Sequence, residues 1–179
     1  MILTFNNNTK DYKADLSKAL EIGISVRRDH SVSSFGIAGA VYKDYQDGDF
    51  IGNKTKGGPC NLETITYTPH GNSTHTECLG HISEESYFVN DCIADGFYLA
   101  QLVTLSTKPE DSNYLDFTTL DWEALQHYKG LIIRTSPNSI TKLNRDYSGT
   151  STPCIAADDM QKIMEAGILH LIVDLPSVD

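Results

Sequence analysis

Between His70 and His81 the chain reads His70-Gly71-Asn72-Ser73-Thr74-His75-Thr76-Glu77-Cys78-Leu79-Gly80-His81, so three of its six histidines share one short stretch with a carboxylate and a thiol. Neutral imidazole, carboxylate and thiolate are the side chains that hold Zn²⁺ and related divalent ions. Spacing sorts them. His75 and Glu77 are two apart, so on an extended segment their side chains lie on one face. His81 is four further on and returns after Leu79-Gly80. His70 precedes His75 by five and lies on the opposite face of a regular strand. It joins the others where Gly71-Asn72 makes a bulge or a turn, which both residues favour. Cys78 has the wrong parity for the His75 face and reads as packing. The competing reading is a loop of solvated histidines; it suits a lone His better than three with a Glu. A divalent ion with an open coordination position lowers the pKa of bound water and polarises a carbonyl. His81 is then the candidate unligated base that moves protons.

These side chains need elements to aim them. Leu62-Glu63-Thr64-Ile65-Thr66 alternates and predicts a strand, and Tyr67-Thr68-Pro69 follows. The cluster therefore falls at or just past a strand end, where a rigid element orients the groups and a loop admits substrate. In the second half, Phe97–Ser106, Leu131–Thr135 and Ile168–Val173 are apolar runs that predict buried strands. Between them, Thr118-Thr119 are read as the N-cap of a short helix over Leu120–Leu125. Ala156–Ala166 predicts a second helix, with Met160, Ile163 and Met164 on its core face and Gly167 as its stop. Strand, helix, strand, helix, strand indicates α/β packing.

The first half reads as more β-rich. Tyr12–Ser17 opens a short strand or turn, and Ile22–Val26 alternates as an extended segment. Arg27-Arg28-Asp29-His30 reads as a solvated charge cluster. Residues 33–42 are small and apolar, between strand and loop, and residues 44–59 carry the Asp, Gly, Asn and Lys of a surface loop or hairpin. Pro137–Pro153 is too long for a simple connection and is either a cover over a site or a mobile surface loop. His170, in an apolar run, reads as a core or interface residue, and Cys92 and Cys154 as buried free thiols.

Composition sets the outer bounds. A chain of 179 residues, 40% hydrophobic and 21% charged, is ordinary globular and fits one domain. A formal charge of −10 argues against nucleic acid and anionic membrane surfaces as partners. No apolar run approaches a membrane span, and Met1–Asn8 has neither a basic region nor an apolar core, so a secretory signal is not expected. Four cysteines without CxxC spacing fit reduced thiols and a cytoplasmic location.

Beyond the spacing, the stretch resembles the His-x-Gly-Thr-His-x-Asp-x-Pro-x-His motif of the cyclase superfamily that includes kynurenine formamidase (arylformamidase) and isatin hydrolase. Thr74-His75-Thr76-Glu77 stands at its Thr-His-x-Asp, and His81 at its last His. Asp15-Leu16-Ser17 resembles the family's early Asp-Leu-Ser, and Leu131–Thr135 its strand ending in Arg-Thr. Ala166–Ile168 through Val173-Asp174-Leu175-Pro176-Ser177-Val178-Asp179 is similar to its Gly-Val…Gly-Ile-Asp-Thr-Pro-Ser-Val-Asp segment. The matches run in the family's order over nearly the whole chain.

The resemblance implies a swivelling β/β/α fold, the kynurenine formamidase-like variety of α/β. It implies a divalent metal, Zn²⁺ or Mn²⁺, held by His70, His75 and Glu77, with His81 as a further ligand or a catalytic neighbour. It implies hydrolysis of a small amide, lactam or lactone by metal-activated water, and a homodimer or higher homo-oligomer. This chain departs from the motif in three ways: Glu77 replaces Asp, Leu79 replaces Pro, and one extra residue lies between His70 and His75. Relatives also supply a further His and Glu from sequence past the Pro-Ser-Val-Asp segment. Residues 1–179 are thus expected to form a single cyclase-like domain, with two alternatives open: it lacks its C-terminal part, or it lacks part of the catalytic set. The competing functional reading is a non-catalytic relative that binds a metal or small ligand without turnover.

Overall fold

The computed structural model describes residues 1–6, 10–28, 32–93 and 96–179. Among them, nine strands run in chain order: β1 Ile2–Asn6, β2 Asp11–Asp15, β3 Val41–Asp44, β4 Gln46–Asp47, β5 Phe50–Ile51, β6 Glu63–Thr66, β7 Ala100–Leu105, β8 Gly130–Thr135 and β9 His170–Val173. Four α-helices accompany them: α1 Pro69–Asn72, α2 Val89–Cys92, α3 Trp122–Leu125 and α4 Ala157–Glu165. The chain divides into two compact units. One comprises Met1–Ile22, Thr76–Ser139 and Ser151–Asp179; the other comprises Gly23–His75 and Ile140–Thr150.

The first unit is built on a parallel sheet of order β7-β8-β9, with α3 and α4 in the two connections. The three apolar runs form strands because parallel strands need apolar side chains where helices cover them. β8 is central. Its Leu131 and Ile133 are 0% and 1% exposed, and they pack with Leu105, Leu125 and Ile163 in the core. β7 lies at the margin of this sheet, and its Leu102 is 54% exposed, so the run expected to be wholly buried is buried on one face only. The Asp174 carboxylate, just past β9, accepts the Thr135 N–H at 3.0 and 3.1 Å and closes the end of β8. β1 and β2 form a separate antiparallel pair, and the Asp15 carboxylate accepts the Ser17 N–H at the start of the following 3₁₀ turn.

The two helices that connect the parallel strands differ in detail from the sequence expectation. The N-cap of α3 is Asp121, whose carboxylate accepts the Ala124 N–H at 2.9 Å. Thr118 instead gives its N–H and hydroxyl to Asp116 in a local turn. A carboxylate outranks a threonine as a cap, and the helix starts accordingly later. In α4, Ile163 and Ala166 are buried and Met160 packs against the core, but Met164 is 69% exposed. At about 100° per residue the core face centres on Asp159, Ile163 and Ala166, which turns Met164 towards water. Asp159 is buried and lies 3.2 Å from Lys162 and 3.6 Å from Lys108, so its charge has partners. Gly167 takes the left-handed conformation (φ +81°) that stops the helix.

In the second unit, β3 pairs with β6, and β4 with β5 in a small hairpin turning at Gly48 (φ +55°). The expected hairpin region at 44–59 is therefore present. Ile22–Val26 forms no strand. Of the basic cluster, Arg28 pairs with Glu63 at 2.5 Å and covers the Tyr42 ring; Asp29 and His30 lie outside the described residues. Within Pro137–Pro153, a 3₁₀ turn spans Ile140–Asn144, and Ser33 exchanges backbone hydrogen bonds with Arg145 and Tyr147. Tyr147 is buried, so this part of the long connection is anchored.

Because Leu131 is fully buried at the centre of the core, Leu131→Ala is expected to lower unfolding free energy by roughly 2–5 kcal/mol through lost transfer energy plus a residual cavity. Urea denaturation followed by far-UV circular dichroism measures it; a loss below about 1 kcal/mol would contradict this placement of the core.

Candidate metal centre

The segment from Thr66 to His81 is set by a few specific contacts. β6 ends at Thr66, and Pro69 then occupies the first position of α1, where its missing N–H costs nothing and its fixed φ suits a helix. Four residues cannot hold a helical turn by propensity alone. The turn is held by Asn72, which is 0% exposed. Its Oδ1 accepts the Thr68 N–H at 3.0 Å, and its Nδ2 donates to the Ala38 carbonyl at 3.0 Å. Ser34, also buried, donates its hydroxyl to the His70 carbonyl at 3.3 Å. Gly71 is needed for space: a Cβ there would fall 2.7 Å from Ile37 Cβ and 2.8 Å from its Cδ1.

After α1 the backbone extends at Ser73 (φ −164°, ψ 169°). Thr74 then pairs twice with Ile24: its N–H donates to the Ile24 carbonyl at 2.9 Å, and its Oγ1 accepts the Ile24 N–H at 2.8 Å. This single rung is what the alternating Ile22–Val26 run forms instead of a strand. His75 follows, with Nδ1 2.9 Å from the Ser73 carbonyl oxygen. A carbonyl only accepts, so Nδ1 carries the proton, and the lone pair of the neutral ring lies on Nε2.

The helical turn at Pro69–Asn72 meets the condition set for His70 by a different device from a strand bulge. The His70 and His75 ring centroids are 4.6 Å apart at 49°. Among the described residues, the ligand atoms of His70, His75 and Glu77 form a group, all within 4.8 Å of one another. Nitrogen and oxygen donors at roughly 2.0–2.2 Å from a tetrahedral zinc ion lie about 3.3–3.6 Å apart. The bound on the group is thus near the span of a loaded site, and Glu77 is an exposed side chain. Two imidazoles and one carboxylate form a donor set for a borderline divalent ion with a coordination position left open. The residues present fit a metal.

His81 stands outside this group of three. It ends the 3₁₀ turn Leu79–His81, and its Nε2 is 3.9 Å from Glu77 Oε2, with both side chains about half exposed. Cys78 turns to other neighbours: its Sγ donates to the Tyr87 carbonyl at 3.5 Å. All four cysteines are free thiols, and the buried setting expected of two of them is corrected: Cys92 is exposed and Cys154 half-buried. His170 is half-buried and stacks on Tyr98 at 4.0 Å and 8°.

A family model described as "Putative cyclase" matches residues 7–179. The chain belongs to the cyclase family. Comparison with curated proteins and with solved structures returns no match.

The supports of the site were not visible in the spacing of its ligands. Asn72 reads locally as a bulge or turn former; the one hint of its anchoring role is its place four residues after Thr68. Asn72→Leu is expected to lower stability by about 1–3 kcal/mol for each backbone group left buried and unpaired. It should also weaken Zn²⁺ binding, read by competition with a chromophoric chelator. Gly71→Ala should weaken binding in the same assay by displacing α1 from Ile37; unchanged affinity in both variants would show that α1 does not position His70.

Proposed function

We propose that the protein is a metal-dependent hydrolase acting on carbon–nitrogen bonds other than peptide bonds, or on the related ester bond of a lactone. Its substrate class is a small amide, lactam or lactone, as for arylformamidase or isatin hydrolase. The single observation that supports this most is the convergence of His70, His75 and Glu77 in a chain of the cyclase family. With it goes a swivelling β/β/α arrangement and a homodimer or higher homo-oligomer, both suggested by the family resemblance.

His70, His75 and Glu77 would hold the ion, Zn²⁺ or Mn²⁺. When bound, such an ion supplies Lewis acidity towards a carbonyl and acidifies water at neutral pH. The chain's own residues do the rest. The hydrogen bond to Ser73 keeps His75 in the tautomer whose Nε2 is a ligand. The α1 turn keeps His70 beside it. Glu77 supplies the negative charge that favours a cation over a neutral ligand, and it faces His81. His81 Nε2, 3.9 Å from Glu77 Oε2, can take a proton from the attacking water and return it to the departing group, the usual task of a histidine general acid–base.

The non-catalytic reading keeps one specific support, the altered motif: Glu77, Leu79 and the extra residue before His75. A substrate panel separates the two. Protein reconstituted with Zn²⁺ or Mn²⁺ is assayed on formyl-aryl amides, isatin-like lactams and simple lactones. The expected result is turnover of at least one class, abolished by chelation and restored by metal. His81→Gln should lower kcat by roughly 10²–10⁴-fold with bound metal unchanged. Bound metal with no turnover of any class would replace this reading by the non-catalytic one.

A further inference from the structure

A cavity of about 390 Å³ opens within the first unit, and it shares no residue with the metal group. Three segments line it. Lys108 comes from the connection after β7, Phe117 and Trp122 from the run that enters α3, and Asp159 and Lys162 from α4. Phe117 and Trp122 stack at 5.9 Å and 21°, so part of the wall is an aromatic pair. Asp159 and Lys162 are three apart on a helix and share a face. Asp159 is buried, with Lys162 Nζ 3.2 Å from its Oδ1 and Lys108 Nζ 3.6 Å from its Oδ2. Lys162 Nζ also stands over the Trp122 ring, 5.5 Å from its centroid. One lysine would neutralise one buried carboxylate. Two leave the lining with a net positive charge, in a chain whose formal charge is −10. The neighbouring Asp116 is engaged elsewhere: its carboxylate accepts the Thr118 N–H and hydroxyl at 2.9 and 2.6 Å.

We propose that this cavity is a binding site for a small aromatic monocarboxylate, with the ring against Phe117 and Trp122 and the carboxylate on Lys108 and Lys162. Its volume falls in the lower part of the range for small-molecule sites, roughly 300–1,000 Å³, and its lining combines apolar surface with a few convergent polar groups. A flat ring in offset contact with aromatic side chains gains more than its buried area alone would give. Each ammonium has three N–H donors, so one directed at Asp159 leaves others for an anion. A bond from ammonium to carboxylate is charge-assisted and short. The single net charge of the lining suits a monoanion. Because Lys162 stands over Trp122, the cation and the aromatic surface that such a ligand needs lie side by side. Binding here requires nothing of the metal group.

Trp122 is the chain's only tryptophan, so its fluorescence reports on this cavity. The full chain is titrated with benzoate in the presence of a chelator, which keeps any metal from competing for the carboxylate. The expected result is a saturable change in Trp122 emission, with a Kd of about 1 mM or tighter. Benzyl alcohol, which lacks the charge, and inorganic phosphate, which lacks the ring, should give no saturation over the same range. Lys162→Met leaves Asp159 paired with Lys108, so the fold should persist, and affinity should fall by roughly ten- to a hundredfold. Lys162→Arg should keep most of it. No saturation by wild-type protein at about ten times that concentration would overturn the proposal. So would equal binding of benzyl alcohol, which would mark an apolar cleft only, or of phosphate, which would mark a plain anion site. Unchanged benzoate affinity in folded Lys162→Met would overturn it as well.

Discussion

The candidate centre depends on a buried side-chain amide. Asn72 has no exposed surface, and both of its polar atoms are used, one on the Thr68 N–H and one on the Ala38 carbonyl. A buried amide without partners costs on the order of kilocalories, so this pairing fixes one position of α1 rather than merely favouring it. Everything that follows is geared to it. Gly71 lets α1 lie against Ile37, His70 is presented towards His75, and the chain leaves the turn extended at Ser73. The rung between Thr74 and Ile24 then sets the backbone from which His75 and Glu77 project.

That arrangement divides labour between anchored and more exposed groups. His75 is oriented by a backbone carbonyl two residues away, and His70 by a turn that is itself anchored on a buried amide. Glu77 and His81 are more exposed and sit on the irregular chain beyond. Two imidazoles are thus placed in advance of any ion, while the carboxylate is the more exposed donor. A carboxylate one methylene longer than aspartate adds one rotatable bond and so more reach.

The apolar elements were legible in the sequence because their burial follows simple periodicity. Leu131 and Ile133 alternate in β8, and Gly167 marks the end of α4 in the way a left-handed stop requires. The pairing of His75 with Glu77 followed from parity alone. What escaped was decided by partners distant in sequence. Ile22–Val26 alternates like a strand, but its one rung goes to Thr74. Asn72 looks like a bulge or turn former, and only the fold brings Ala38 to it. Thr118 looks like a cap, and a nearer carboxylate, Asp121, takes that place at α3. Met164 has helical spacing with Met160 but falls on the wet side of a face centred elsewhere.

The central claim is that His70, His75 and Glu77 together hold one divalent cation. Metal titration of chelator-stripped protein tests it most directly, with Zn²⁺ affinity read by competition and ligand number by the visible spectrum of the Co²⁺ form. The account predicts one equivalent of tight metal, with affinity falling by more than roughly a hundredfold in His70→Ala and in His75→Ala, beyond the loss seen for supporting groups alone. Stoichiometric binding that survives both substitutions, or no binding by the wild-type chain, would contradict it.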